Sequence, residues 1–266
     1  MPMSNEVISA LKKDFIHNLV VEGKRSDGRG FFETRDISVK THVISKAEGS
    51  AYVKFGETKV LVGIKLQKGT PFPDDPDKGI IMTGMEMNPL ASPDFEPGPP
   101  KEESIEMSRI VDRGIRESKS IVLEDLCIKE GESVWMVFVD ISVLNDAGNI
   151  VDASCLGAIS ALMTTTVPED VANGTPARPL PMRDMPVGVT VVSIGGQLML
   201  DPILDEEMVC GTKLTVITNK EGALSGMQKS GSEALTPEKV FEMVNLGREK
   251  AAELRERYLF NLSVRC

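Results

Sequence analysis

The fold class predicted for this chain is α+β: duplicated strand-rich halves, each followed by helices, preceded by an N-terminal amphipathic helix. Three observations predict it. Strand-like apolar runs occupy Ile37–Leu66 and recur in Val187–Thr218. Helical segments follow them, at 104–118 and 151–166 in the first half and at 237–258 in the second. Between the halves, Pro168, Pro176, Pro179, Pro181 and Pro186 interrupt both periods. Runs of strands followed by helices, rather than strict alternation, point to α+β. The expected division is a helix and lead-in over 1–30, a first subdomain over 31–167, a proline-rich connection over 168–186 and a second subdomain over 187–266.

Each element has its own local reason. Val7, Ile8, Leu11, Phe15, Ile16 and Leu19 fall on one helical face, and Gly23 to Gly30 break that helix. Ala51–Phe55 and Lys59–Leu66 are joined through Gly56-Glu57-Thr58, the pattern of an antiparallel hairpin, and His42 lies in the strand-like run before it. Residues 67–79 and 88–100 are rich in Pro, Gly and Asp and read as loops around the Met-rich run Ile80–Met87. Val134–Leu144 is a nearly continuous apolar strand, 145–149 a turn, and Val151–Thr166 a small-residue helix able to pack closely. In the second half, strands are expected at Val187–Ile194, Gln197–Leu200 and Glu207–Thr218, then a long helix over Pro237–Tyr258. Gly195-Gly196 between two apolar runs is a two-residue hairpin turn.

Composition narrows the function. The 266 residues carry a formal net charge of -10, which argues against broad, nonspecific binding of nucleic acid but allows a local basic site. No apolar run approaches the ~20 residues of a membrane span, and no signal pattern opens the chain, so a cytoplasmic location without membrane partners is expected. Cys127, Cys155, Cys210 and Cys266 form no Cys-x-x-Cys pair, and His17 and His42 offer little for catalysis, so no metal and no cofactor is called for. Phosphate-loop, dinucleotide and serine-hydrolase signatures do not occur.

Two clusters carry chemistry. At ~100° per residue, Arg109, Arg113 and Arg116 fall within roughly 60° of one another on a helix whose other side holds Met107, Ile110, Val111 and Gly114. Fixed guanidinium groups in an acidic chain suggest phosphate contact. Asp112 and Glu117 stand at pairing distance along the helix, so ordinary ion pairs are the competing reading. The second cluster, Asp201 with Asp205, Glu206 and Glu207, follows a strand and offers either carboxylates for acid–base or magnesium chemistry or a solvated acidic loop.

Arg25-Ser-Asp27-Gly28-Arg29 with Glu33-x-Arg35, Ala47-Glu48-Gly49-Ser50-Ala51 with Gly56-x-Thr58-Lys59-Val60-Leu61, and the arginine helix together resemble the RNase PH superfamily over roughly residues 20 to 260. Its members remove nucleotides from RNA 3′ ends with inorganic phosphate, so the resemblance implies an RNase PH-like fold. Active relatives carry tandem arginines where this chain has Glu102 and Glu103. They also carry a Gly-Gly-Ser/Thr-Arg turn where it has Gly148-Asn149-Ile150-Val151. Ile150 and Val151 supply neither hydroxyl nor guanidinium, and Asp152 adds a like charge beside any phosphate. Asp201 matches the first acidic position of active relatives.

The chain therefore most resembles the non-catalytic subunit of the archaeal exosome ring, with no catalytic residue of its own; the alternative is an active phosphate-dependent 3′–5′ exoribonuclease that uses the arginine helix and the Asp201–Glu207 carboxylates. That implies three heterodimers with a catalytic RNase PH-like paralogue in a hexameric ring, RNA-binding cap subunits and single-stranded RNA as partners. It also implies RNA-phosphate contacts at Arg109 and Arg113, with Arg116 the third candidate.

Overall fold

The computed structural model describes residues 5–171 and 173–263. Among them, α1 (Asn5–Val21) leads into a first sheet of β1 (Ile37–Thr41), β2 (Gly49–Phe55), β3 (Thr58–Gly69), β4 (Ile80–Met87), β5 (Cys127–Lys129) and β6 (Ser133–Asn145). The sheet order is β1-β2-β3-β6-β4, with β5 also on β6. All pairs are antiparallel except β4 with β6, which is parallel and needs a crossover, made by α2 (Glu102–Glu117). The Met-rich run is thus a strand. Its loop neighbours concealed that, because parallel pairing to β6 is a long-range fact.

α3 (Ile150–Met163) packs on β2 and β3 on one side and on β9 (Val187–Ile194) of the second sheet on the other. It is buried from Ile150 to Leu162, which is why its sequence is apolar and small all round. The second sheet is antiparallel, in the order β10 (Gln197–Leu200), β9, β11 (Thr212–Thr218), β12 (Leu224–Ser230). α5 (Pro237–Leu254) covers β9 and β11. Between the sheets in sequence, β7 (Thr166–Val167) and β8 (Arg178–Pro179) form a short ribbon. α2 touches both sheets, lying on β4 and on β12. Gly114 makes that approach possible, since a Cβ there would come within 2.9 Å of the Ile217 side chain.

Several boundaries differ from expectation. The segment expected as a strand from Glu207 begins instead with α4 (Leu204–Val209), and β11 starts only at Thr212. Glu206 closes that helical turn by accepting from the Ile203 N–H at 3.0 Å. β12 was not foreseen, because its Ser, Gly, Gln and Lys residues belong to a half-exposed edge strand. α3 stops at Met163 rather than Thr166, where the hydroxyls of Thr164 and Thr165 bond the Ser160 and Ala161 carbonyls and end the helix. α5 begins as expected, capped by the Thr236 hydroxyl, but ends at Leu254. The helix then widens into a π turn over Arg255–Leu259 before α6 (Phe260–Ser263).

His42 lies just beyond β1 with φ +56°, outside the strand expected to contain it. The Gly195-Gly196 turn joins β9 to β10 with both glycines at positive φ, the geometry only that residue type adopts freely. On α1, Ile16 and Val20 are buried against Val192, Ile194 and Met199. Phe15, expected on the same apolar face, is instead 60% exposed. Residues 1–4, the side chains of Val7, Ile8 and Leu11, and Cys266 lie outside the described residues.

Candidate functional site

α2 presents the arginines as its periodicity requires. Ser104, Ser108, Val111, Gly114 and Ile115 are buried, Met107 and Ile110 half-buried, and Arg109, Arg113 and Arg116 exposed. Glu102 and Glu103 occupy the first turn, where carboxylates complement the helix dipole. The neutralising pairs anticipated along the helix form at one arginine. Arg116 Nη2 meets Asp112 Oδ1 at 3.0 Å, and its Nε meets Oδ2 at 3.1 Å. Nη2 also donates to the Ile81 carbonyl at 3.1 Å, and Thr83 Oγ1 bonds Asp112.

Arg109 and Arg113 have no hydrogen-bond or ion-pair partner among the described residues. Both line an open groove of about 400 Å³ with Glu102, Ile105, Glu106 and Gln228. Glu106 is engaged by the Gln228 side-chain amide of β12 at 3.1 Å. The Arg113 stem lies over β12 beside Gly226, where a Cβ would stand 3.8 Å from Arg113 Cγ and Cδ, an ordinary van der Waals contact.

The acidic cluster is built in the opposite way. Asp201 follows β10 at φ +48° and turns its carboxylate inward. Arg35 meets it through Nη2 on Oδ1 at 2.7 Å and Nε on Oδ2 at 3.0 Å, and the Arg35 N–H adds a bond of 2.8 Å. Arg29 Nη1 reaches Oδ2 at 3.0 Å, and Asn149 Nδ2 reaches Oδ1 at 2.9 Å. Burial alone would raise this carboxyl's pKa, but the hydrogen bonds and charge of Arg35 outweigh it and hold Asp201 below the ordinary carboxylate range. Glu206 is buried in a bidentate pair with Arg25, at 2.6 and 2.9 Å. Asp205, more exposed, pairs with Lys12 at 2.8 Å.

Glu207 binds Lys213 at 3.1 Å and accepts the Asn149 backbone N–H at 3.0 Å. It therefore places a carboxylate at the N-terminal end of α3, where orphan N–H groups and the helix dipole attract anions. Gly148, at φ +88°, permits this, since a Cβ there would stand 2.4 Å from the Leu204 nitrogen. Asp152, in the first turn of α3, is buried and accepts from the Thr190 N–H at 2.8 Å, Thr190 Oγ1 at 2.7 Å and Asn149 Nδ2 at 2.9 Å. Burial pushes its carboxyl up to about 7 despite those bonds.

The solvated-loop reading of the Asp201 cluster is corrected, because Asp201 and Glu206 are buried and 204–209 is helical. No group of three or more metal-ligating side chains is found among the described residues. Sequence reasoning missed that Arg25, Arg29 and Arg35 are the cluster's partners. The available signal was charge balance, since those arginines and these carboxylates stand at complementary density some 170 residues apart (|i−j| of 166 to 181). No hydrogen bond or ion pair among the described residues joins the arginine stripe to these carboxylates.

Comparison with known proteins accounts for both halves. Residues 33–168 match domain 1 of the 3′ exoribonuclease (RNase PH) family, and residues 184–250 match domain 2. The "Exosome complex component Rrp42" of Methanosarcina acetivorans is 58% identical over 263 residues, covering 99% of each chain. A chain of the Archaeoglobus fulgidus exosome, solved with RNA bound to the active site, superposes with a TM-score of 0.91 at 47% identity, covering 95% of this chain and 99% of that one. A chain of an archaeal exosome core gives 0.88 at 42% identity, covering 96% and 99%. With both domains present in order and full-length similarity, the chain belongs to the RNase PH family of 3′ exoribonuclease proteins.

Proposed function

We propose that this chain is the non-catalytic RNase PH-like subunit of an archaeal, cytoplasmic exosome. In this reading it scaffolds a hexameric ring with a catalytic paralogue and presents Arg109 and Arg113 to the phosphates of single-stranded RNA entering the paralogue's site. The observation that carries the non-catalytic part is Glu207 at the N-terminus of α3. Phosphorolysis needs an open anion cradle there, and this chain supplies the anion itself. Asp201, the carboxylate that matches the active relatives, is occupied by Arg29 and Arg35.

The unpaired state of Arg109 and Arg113 supports the RNA role, since unpaired exposed guanidiniums keep their donors for phosphate. Arg116, bound to Asp112, contributes less. The ring of three heterodimers and its RNA-binding caps follow from the family resemblance.

The test is phosphate-dependent trimming of a 3′-single-stranded RNA by the purified chain and by its complex with the paralogue. Nucleoside diphosphate is expected only from the complex, and it should vanish when the paralogue's catalytic site is disabled. Robust release by this chain alone overturns the proposal.

A further inference from the structure

The basic face of α2 continues past Arg116. Beyond the end of the helix lies a cleft of about 250 Å³, lined by Lys78, Arg116, Lys119, Arg183 and Glu124 over Ile81. Four cations from three segments converge there in a chain of net charge -10. Two are already neutralised, Lys78 by Asp75 and Arg116 by Asp112. The side chains of Lys119 and Arg183 have no hydrogen-bond or ion-pair partner among the described residues. Set against Glu124, they leave the lining groups with one net positive charge, which matches a phosphodiester better than a doubly charged free phosphate.

The backbone fixes this arrangement. Arg183 N–H donates to the Ser120 carbonyl at 2.6 Å, Val122 N–H to the Pro181 carbonyl at 2.9 Å, and Ile121 bridges Met182. The proline-rich connection is thereby pinned to the turn that follows α2. Lys119 holds φ +51° just past the helix C-cap, where glycine is favoured, so a cationic side chain stands at a strained position. At ~1.5 Å per residue, Lys119 lies about 9 Å along the chain axis from Arg113, within reach of a neighbouring phosphate on one extended strand.

We propose that this cleft holds a backbone phosphate of the same RNA, next along the strand from those contacted by Arg109 and Arg113. The proposal rests on the RNA-binding reading above. The experiment measures affinity of the assembled complex for oligoadenylate against salt concentration, with Lys119→Gly plus Arg183→Ala in this chain and assembly checked by native mass spectrometry. One lost phosphate contact should flatten the log–log salt slope by about 0.7. Lys119→Gly alone should raise the melting temperature by releasing the strained backbone, so a lower slope in that single variant cannot be blamed on unfolding.

An unchanged slope overturns the proposal. Saturation of the cleft by inorganic phosphate, detected as shifts of the Lys119 and Arg183 amides while the RNA slope stays unchanged, overturns it too, as a free-anion site. Arg109→Glu with Arg113→Glu runs in parallel. If that pair alone is silent, the α2 reading falls and with it the placement of the cleft next along the strand; if the cleft variant alone is silent, only the cleft proposal falls.

Discussion

Two charged regions of this molecule differ in how their charges end. In the turn after β10, Arg25, Arg29 and Arg35 meet Asp201 and Glu206 behind almost no solvent, and Glu207 spends its charge on Lys213 and the start of α3. On α2, Arg109 and Arg113 point outward with nothing bound to them among the described residues. Buried pairs hold the chain together because breaking one strands a desolvated charge. Exposed cations contribute almost nothing to stability and remain available to a ligand. The same residue type therefore serves architecture in one place and, in the proposed function, recognition in the other.

The comparison breaks most sharply at Glu206→Ala, which removes the bidentate carboxylate of the buried Arg25 and leaves it the Leu200 and Asp201 carbonyls and Asp27 at 4.0 Å. A loss of about 3 to 5 kcal/mol is expected in chemical denaturation. A loss below 1 kcal/mol would show that the cluster is not the structural tie described here.

Next comes pH. Asp152 titrates at about 7 when folded against a reference of 3.8, so its stabilisation is complete below the unfolded value and is lost as pH rises through about 7. Asp201, held low, has the opposite sign: its contribution is present above the unfolded value and is lost as pH falls through the folded one. Between pH 5 and 8, Asp152→Asn should therefore remove roughly 1 to 3 kcal/mol of the decline in unfolding free energy. An identical pH profile in the variant would show that Asp152 is ionised throughout.

Glu207→Ala opens the N-terminus of α3 and should cost about 1 kcal/mol, the usual worth of a carboxylate at that position. It should confer no phosphate-dependent trimming on the isolated chain, because Ile150 and Val151 still lack the hydroxyl and guanidinium. Gained activity would mean that the carboxylate alone had been blocking a complete site.

The smallest effect on folding is expected for Arg109→Glu with Arg113→Glu, within about 0.5 kcal/mol of the parent. In the assembled complex the same pair should reduce the salt slope for single-stranded RNA by about 1.4. Unchanged RNA affinity in an intact complex would remove both arginines from the proposed interface.

Much of this was legible in the chain. The 3.6-residue period placed Arg109, Arg113 and Arg116 on one face, and alternation with tight turns placed β2, β3, β9 and β10. These features are local, set by backbone geometry and the need to bury one face. The ordered motifs from Arg25 to Leu61 gave the family for the same reason, as short segments whose spacing survives without the fold.

What the tertiary structure alone decided is where each charge ends. Along α2, Asp112 had two arginines within reach and took Arg116, because Thr83 of β4 fixes the carboxylate and the Ile81 carbonyl fixes the guanidinium. Asp201 and Glu206 stayed open in the sequence between a reactive carboxylate cluster and a solvated loop, because the arginines that close around them stand far away along the chain. Pairing energy depends on distance and burial, and a sequence contains neither until its two halves have packed around α3.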